Sequence, residues 1–414
     1  MPESDPDPEA APLLIVTDDS AAEPESWPRG ARRVAATEYL TGAASTARAA
    51  TRVLNQSTAT RYLEAGYYVS LLAAARGHKV QPTAAQLLDA ALPQERDRKS
   101  AELPTPLRIP ARRGDCRLAI LVDPDESEPP SNTRALEQFL SAAAALDMHA
   151  ELITAADASR LSEFDALFIR ETTALWNHTY ALARRADELG LFVVDDSESI
   201  LHCCNKLFLA ELLVRHSVAT PRTLGVHRGN AAEVLRKLGL PCILKQPDGW
   251  SSRGMLLVRS EKELHDGIEQ LLGRGALLVA QEFVPTGFDW RIGILDGQPI
   301  YASKYYMVPE HWQVVRRSRD GERLAEGPDE PVALELVPPP ILQLAVRAAE
   351  LCGDSFYGVD LKEVDGRTLV IEVNDNPSVD AGIEDTLLED ELYLRIMRIF
   401  RTRILAARQS ARAS

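Results

Sequence analysis

Cysteine is scarce and unpatterned in this 414-residue chain. Cys116, Cys203, Cys204, Cys242 and Cys352 make an odd set with neither C-x-x-C nor zinc-ligand spacing. That argues against a disulfide framework or a structural zinc and fits a reduced, cytoplasmic compartment. The adjacent Cys203 and Cys204 have no basic partner in the sequence and read as small buried hydrophobes rather than nucleophiles. An excess of positive charge is missing too: 46 Lys and Arg face 61 Asp and Glu, a formal net charge of -15. General nucleic-acid binding, which needs a basic footprint, is thereby disfavoured. No apolar run approaches the roughly 18 residues of a membrane span, and the start, MPESDPDPEAAP, lacks the basic and apolar regions of a signal peptide. What remains is an ordinary soluble composition, 45% hydrophobic and 26% charged, long enough for two or three domains.

Residues 1–12 are acidic and proline-rich, as in a disordered tail. A short apolar strand at 12–17, a helical pattern over about 60–76 and a turn at Gly77-His78 into a second strand predict an α/β domain over 13–92. Residues 93–115, charged and broken by four prolines, read as a linker or surface loop. Over 116–200 the pattern alternates: strand 118–122, helix 131–147, strands 150–153 and 165–169, helix 177–189, strand 191–194. Such alternation predicts a second, parallel α/β layer. Residues 201–405 then read as a mixed α+β domain, and 406–414 as a tail. No internal repeat is visible.

Within that last domain, GVDLKEVDGRTLVIEVNDNPS at 358–378 reads as a β-hairpin turning at Asp365-Gly366. A strict two-residue turn mixes charge with apolar residues on each face. One extra loop residue instead pairs Val359 with Val373 and Leu361 with Ile371, and the apolar pattern selects this second register. Asp360 then faces Glu372, with Asn374 two residues along on the same side: an oxygen set suited to Mg²⁺, or an acidic solvent face. A second hairpin, DWRIGILDGQPIYASKYY, closes at Asp296-Gly297. Its two-residue turn puts Asp289 opposite Lys304 with Arg291 on the same face, a clamp for a transferring phosphoryl group or an exposed cross-strand ion pair.

Lys245 ends an apolar strand just before DGWSSRGM, a loop of small residues that matches neither G-x-x-x-x-G-K-[ST] nor G-x-G-x-x-G. A phosphate cradle and a solvated loop are both compatible with it. Strand LLVAQEFV at 277–284 ends in backbone suited to an adenine edge, or is simply a buried strand. Arg170 follows ALFI at the carboxyl end of the α/β layer, where open sheets bind ligands. It is a candidate for a substrate carboxylate or for a surface ion pair.

The order NK at 205–206, ILK at 243–245, the small-residue loop, QEFV at 281–284, DWR at 289–291, GVD at 358–360 and EVNDNPS at 372–378 resembles the RimK-like branch of the ATP-grasp superfamily. The match spans about 200–403. Residues 116–200 look like the pre-ATP-grasp α/β domain, and EAGYYVSLLAAARGHKV at 64–80 is similar to the extra N-terminal domain of one RimK-like subgroup. The resemblance implies an ATP-grasp domain with a mobile lid over about 221–280. It implies that Lys206 and Lys245 contact ATP, that Glu282, Phe283 and Val284 line the adenine, and that Asp289 meets the ribose side. Arg291, with Lys304, would stabilise the transferring phosphate, and Asp360, Glu372 and Asn374 would hold Mg²⁺, with Mn²⁺ an alternative ion. Where RimK-like ligases often carry arginine-x-asparagine, this chain has HWQ, so His311 and Gln313 become the substrate candidates and glutamate specificity stays open. His311 beside Trp312 also suits a packed or capping residue.

The activity implied is ATP-dependent ligation of a carboxylate, from an amino acid or peptide, to an amine through an acyl phosphate. Two alternatives stand beside it: a nucleotide-binding regulatory protein without turnover, and an ATP-dependent phosphotransferase. ATP and the two substrates are the expected partners, without nucleic acid or membrane; a homo-oligomer is compatible.

Overall fold

The computed structural model describes residues 12–19, 28, 30–42, 51–91, 116–249, 254–273, 275–318 and 322–413. The linker expected at 93–115, nearly all of the amino-terminal tail and Trp250–Arg253 of the DGWSSRGM loop lie outside the described residues. Two compact units result, one drawn from Met1–Pro93 and Asn205–Val284, the other from Gln94–Cys204 and Pro285–Ser414. Packing therefore groups the chain differently from its linear order.

The first segment holds β1 (Leu13–Thr17), β2 (Ala31–Ala35), α1 (Ala36–Leu40), β3 (Arg52–Asn55), α2 (Ala65–Ala75), β4 (Lys79–Gln81) and α3 (Ala84–Ala91). Its strands form a parallel sheet in the order β2-β1-β3-β4. Helix α2 is buried along nearly its whole length, including Tyr67, Tyr68, Leu71 and Leu72. The next segment carries β5 (Cys116–Leu121), α4 (Thr133–Ala145), β6 (Met148–Ile153), β7 (Ala166–Ile169), α5 (His178–Glu188), β8 (Phe192–Val194) and α6 (Ser197–Cys203). Here too the sheet is parallel, ordered β6-β5-β7-β8. Strands β5 and β7 are apolar and buried on both faces, as a parallel layer requires.

The chain then returns to the first unit with α7 (Lys206–Arg215), β9 (Thr223–Val226), α8 (Ala231–Lys237), β10 (Cys242–Lys245), β11 (Met255–Val258), α9 (Glu261–Leu272) and β12 (Leu278–Glu282). These strands form an antiparallel sheet, β11-β10-β12-β9. Its apolar face packs on α8 and α9 through Val234, Leu244, Leu264, Ile268 and Ala280. Within the same unit, Arg76 at the end of α2 forms a two-pronged ion pair with Glu211 of α7, both contacts at 2.6 Å.

The last segment contains β13 (Phe288–Leu295), β14 (Gln298–Tyr306), β15 (Val315–Arg317), β16 (Arg323–Glu326), β17 (Asp329–Pro331), α10 (Pro339–Glu350), β18 (Phe356–Val364), β19 (Arg367–Asp375) and α11 (Asp390–Ala413). The antiparallel sheet is ordered β17-β14-β13-β18-β19. Helix α11 continues to Ala413, so residues 406–413 are helical rather than the tail expected. Its Leu392, Tyr393, Ile396 and Phe400 join Phe139 and Phe168 of the parallel layer and Tyr301 and Phe356 of the antiparallel sheet in one core. Among the described residues no helix is long and apolar enough to cross a membrane.

Candidate active site

Both long hairpins close as their residue types dictate. Asp296 and Gly297 have φ of 52° and 70°, Asp365 and Gly366 of 50° and 71°, the left-handed values of a two-residue hairpin turn. Each hairpin then contains a bulge, and the bulges decide which side chains meet.

In the β18/β19 hairpin the turn register, with Val364 opposite Arg367, holds as far as Leu361, which pairs with Val370 rather than with Ile371. The shift between Asp360 and Leu361 then puts Asp360 opposite Glu372 and Val359 opposite Val373. Both registers weighed from the sequence are thus present, joined at a bulge. In the β13/β14 hairpin the shift lies between Gly293 and Ile294, next to Tyr301, whose ring would stand 2.2 Å from a Cβ added at Gly293. Beyond it Asp289 pairs with Tyr305, and Lys304 with Trp290.

This corrects the expectation for Lys304. It lies on the opposite face from Asp289 and Arg291, over the Phe288 and Trp290 rings at 5.4 and 5.5 Å, and bonded to Glu330 at 2.9 Å. The cation that joins Asp289 is Lys362, whose Nζ meets Asp289 Oδ1 at 2.5 Å and Thr286 Oγ1 at 2.6 Å. The sequence carried a signal for it, because Lys362 stands two positions after Asp360 and strand side chains two apart share a face.

Arg291, Asp360 and Glu372 form a row of direct cross-strand partners over β13, β18 and β19. Arg291 grips Asp360 with Nε to Oδ1 at 2.5 Å and Nη2 to Oδ2 at 2.9 Å. Burial opposes the charge on Arg291, yet the Asp360 carboxylate holds its pKa above the ordinary value. Asn374 Nδ2 donates to Asp360 Oδ2 at 3.0 Å and to the Gly358 carbonyl at 3.1 Å. Two carboxylates and a carboxamide oxygen thus stand together on one rigid sheet face. The set fits a hard divalent cation, which takes oxygen ligands and retains waters. Burial raises the Asp289 carboxyl, partly offset by Lys362.

Gly358 makes this packing possible. A Cβ there would lie 2.9 Å from Pro377 Cβ and 3.1 Å from Arg291 Cδ, whereas one at Gly287 would meet nothing within 4 Å. Overpacking of this kind costs about 1–3 kcal/mol. In urea denaturation, Gly358→Ala should therefore lose stability while Gly287→Ala stays near the parent; equal effects would show that the space at Gly358 is not restrictive.

Arg170 is corrected as well. It is 1% exposed, and its donors are occupied by protein: Ser131 Oγ at 2.8 and 3.0 Å, Asn376 Oδ1 at 2.7 Å, the Pro377 carbonyl at 3.0 Å and the Pro130 carbonyl. Burial lowers its pKa to about 10, so it stays a cation. It ties the loop before α4 to the chain after β19, and is neither a substrate contact nor a surface ion pair. Nearby, Thr173 Oγ1 donates to Asp375 Oδ2 at 2.6 Å, and burial pushes Asp375 up to about 7. His311 Nε2 and Gln313 Oε1 lie 3.1 Å apart in the loop after β14.

In the first unit, Lys245 is 6% exposed at the end of β10. Its Nζ donates to Gln281 Oε1 at 2.7 Å, and Gln281 Nε2 to Thr223 Oγ1 at 3.1 Å. A buried ammonium against a neutral amide is poised for an anion, since burying charge is costly unless it is paired. Lys206 opens α7, behind an Asn205 cap that accepts from the Leu207 and Phe208 amides. Its own amide donates to the Pro247 carbonyl at 2.8 Å and its Nζ to the Gly249 carbonyl, tethering the start of the DGWSSRGM loop. Glu282 turns its carboxylate to Arg222, at 3.1 and 3.3 Å. Phe283 and Val284 follow β12 directly, where Val284 is buried.

Comparison with known proteins agrees with this arrangement. Residues 36–107 match the RimK-like ATP-grasp N-terminal domain, and residues 135–386, more than half of the chain, match an ATP-grasp domain family, the third of its clade. A probable alpha-L-glutamate ligase of Vibrio vulnificus is 28% identical over 237 residues, 56% of this chain and 74% of that one. One from Halorhodospira halophila is 28% identical over 251 residues, 59% and 78% of the two chains. Among solved structures, D-alanine–D-alanine ligase from Bacillus anthracis superposes with a TM-score of 0.53 at 15% identity, covering 72% of this chain and 99% of that one. D-cycloserine synthetase does so with 0.54 at 18% identity, covering 70% and 99%. At such identities the solved structures establish the fold alone. The chain belongs to this clade of the ATP-grasp family, with a RimK-like N-terminal domain, and is an ATP-dependent carboxylate–amine ligase.

Proposed function

We propose that the protein joins an amino acid or short peptide to an amine with L-glutamate as one partner, and that the residues described above divide the work. The observation that carries the assignment of roles is the row Arg291–Asp360–Glu372 with Asn374 bonded to Asp360. The choice of glutamate is supported by relatives named probable alpha-L-glutamate ligases. In this reading Lys206 and Lys245 neutralise nucleotide phosphates. The backbone of Glu282, Phe283 and Val284 serves the adenine, because the Glu282 side chain is engaged by Arg222. Asp289, held by Lys362, faces the ribose side, and His311 and Gln313 offer hydrogen bonds to a substrate.

A carboxylate does not react with an amine unaided, because oxide is a poor leaving group. Transfer of the γ-phosphoryl group to the carboxylate gives an acyl phosphate and ADP. The amine then attacks the acyl carbon, loses a proton, and inorganic phosphate departs from the tetrahedral intermediate. Asp360, Glu372 and Asn374 would hold Mg²⁺, which when bound supplies charge neutralisation to the phosphate oxygens. Arg291 presents a fixed guanidinium to the transferring group, so the protein's part is positioning and electrostatics. The free state of all five cysteines suits work in a reducing cytoplasm.

The test is incubation with ATP, Mg²⁺, L-glutamate and a panel of amino acids and short peptides, followed by mass spectrometry. The expected product has the summed mass of two substrates less one water, with one ADP and one phosphate released per bond. Amides formed only in mixtures without glutamate would overturn the substrate choice. A phosphorylated product without an amide would mark a phosphotransferase.

A further inference from the structure

Arg291 is held from two directions. Asp360 takes its edge, while its face lies over the Tyr305 ring with Cζ 5.1 Å from the centroid. Tyr305 is itself tied down: its hydroxyl donates to Glu384 Oε1 at 2.9 Å. Glu384 is 4% exposed, and its Oε2 accepts the Asp380 amide at 2.7 Å. Asp380 in turn accepts the Asn132 amide at 2.6 Å, at the cap of α4. A continuous chain of contacts therefore runs from the parallel layer to the guanidinium.

Asp360 has two tasks. It grips Arg291 and, in the reading above, contributes oxygen to the divalent cation. A carboxylate shared with a metal holds its arginine less strongly, whereas a ring face does not compete for the same lone pairs. We propose that Tyr305 and Glu384 are positioning residues for Arg291, keeping its fork in one pose when Asp360 is engaged by Mg²⁺. The inference rests on the roles assigned above to Arg291 and Asp360.

Four variants test it: Tyr305→Phe, which keeps the ring but loses the tie to Glu384; Tyr305→Leu; Glu384→Gln, which keeps an acceptor; and Glu384→Ala. The first readout needs no substrate. In ¹⁵N spectra of the arginine side chains, Mg²⁺ with a non-hydrolysable ATP analogue should leave Arg291 rotationally restricted in the parent and freely averaging in Tyr305→Leu, with Tyr305→Phe between. The second is single-turnover ADP formation from ATP, Mg²⁺, L-glutamate and hydroxylamine. Tyr305→Leu should slow it on the order of 10-fold or more with little change in ATP affinity, and Glu384→Gln should fall closer to the parent than Glu384→Ala. In an Arg291→Lys background the Tyr305→Leu effect should shrink to about twofold or less, the signature of residues acting as a unit.

If Arg291→Lys alone reacts at the parent rate, the reading of Arg291 fails. If Arg291→Lys is slow but Tyr305→Leu leaves the spectrum restricted, or its effect adds fully to that of Arg291→Lys, only the positioning role fails. A raised KM for the amine with a normal rate in the saturated complex would make Tyr305 and Glu384 substrate contacts instead.

Discussion

Arg291→Lys should slow single-turnover amide formation on the order of 10²-fold, as loss of one oxyanion donor does, while ATP affinity changes far less. The guanidinium is fixed by two bonds to Asp360 and by the Tyr305 ring, so its remaining N–H groups meet the phosphoryl group in a set orientation. Charge spreads over three equatorial oxygens as the group transfers. A single ammonium on a flexible stem cannot reproduce a planar fork that bonds a carboxylate and phosphate oxygens together. Calorimetry for ATP beside rapid-quench amide formation in the same variant separates the two effects. Collapsed affinity with a normal rate in the bound complex would make Arg291 a nucleotide-binding residue.

Glu372→Gln should cost a comparable or larger factor, because the Lewis-acid contribution of a metal is worth several kcal/mol and each 1.36 kcal/mol is about tenfold. Glutamine keeps an oxygen of nearly the same reach but removes a charge from the row it shares with Asp360. Far more Mg²⁺ should then be needed for half-maximal turnover at fixed ATP, with an unchanged melting temperature in the absence of metal and nucleotide. A Mg²⁺ titration that superimposes on the parent's would remove Glu372 from the metal set.

Stability carries a further mark of the site's burial. Burial pushes the Glu384 carboxyl up to about 7, against the hydrogen bonds that lower it. The folded state thus binds the proton more tightly than the unfolded chain, and the associated stability is lost as pH rises from about 4.5 toward 7. The loss is on the order of 3 kcal/mol at about 1.36 kcal/mol per pH unit. Asp375 is raised by burial as well, so the informative quantity is the difference between parent and Glu384→Gln in denaturation at pH 5 and pH 7.5. The variant should lose less stability over that interval, and parallel curves would show that Glu384 does not titrate there.

Most of what identified this protein lay in local sequence. The alternation over 116–200 predicts a parallel layer, and the observed strands Cys116–Leu121, Met148–Ile153, Ala166–Ile169 and Phe192–Val194 form one. The pairing of Asp360 with Glu372 follows from apolar alternation, because Val359 and Val373 must share the buried face, where both are 0% exposed. The elements missed were Ala31–Ala35, an edge strand with two arginines, and the four-residue Arg52–Asn55. Neither is long or apolar enough to announce itself.

Tertiary structure alone decided the register away from the turns. A turn type fixes only the first pairs of a hairpin, and a single bulge moves every later side chain to the other face. The bulge at Gly293/Ile294 put Lys304 among aromatic rings and left Lys362 to pair with Asp289. Arg170 shows the same division. Its place at the end of a strand was legible, but its partners Ser131, Asn376 and Pro377 stand 39, 206 and 207 residues away. Periodicity reports which face a residue takes within its own element. It carries no information about which distant loop will fold back to saturate a guanidinium, and that is settled only when the core closes.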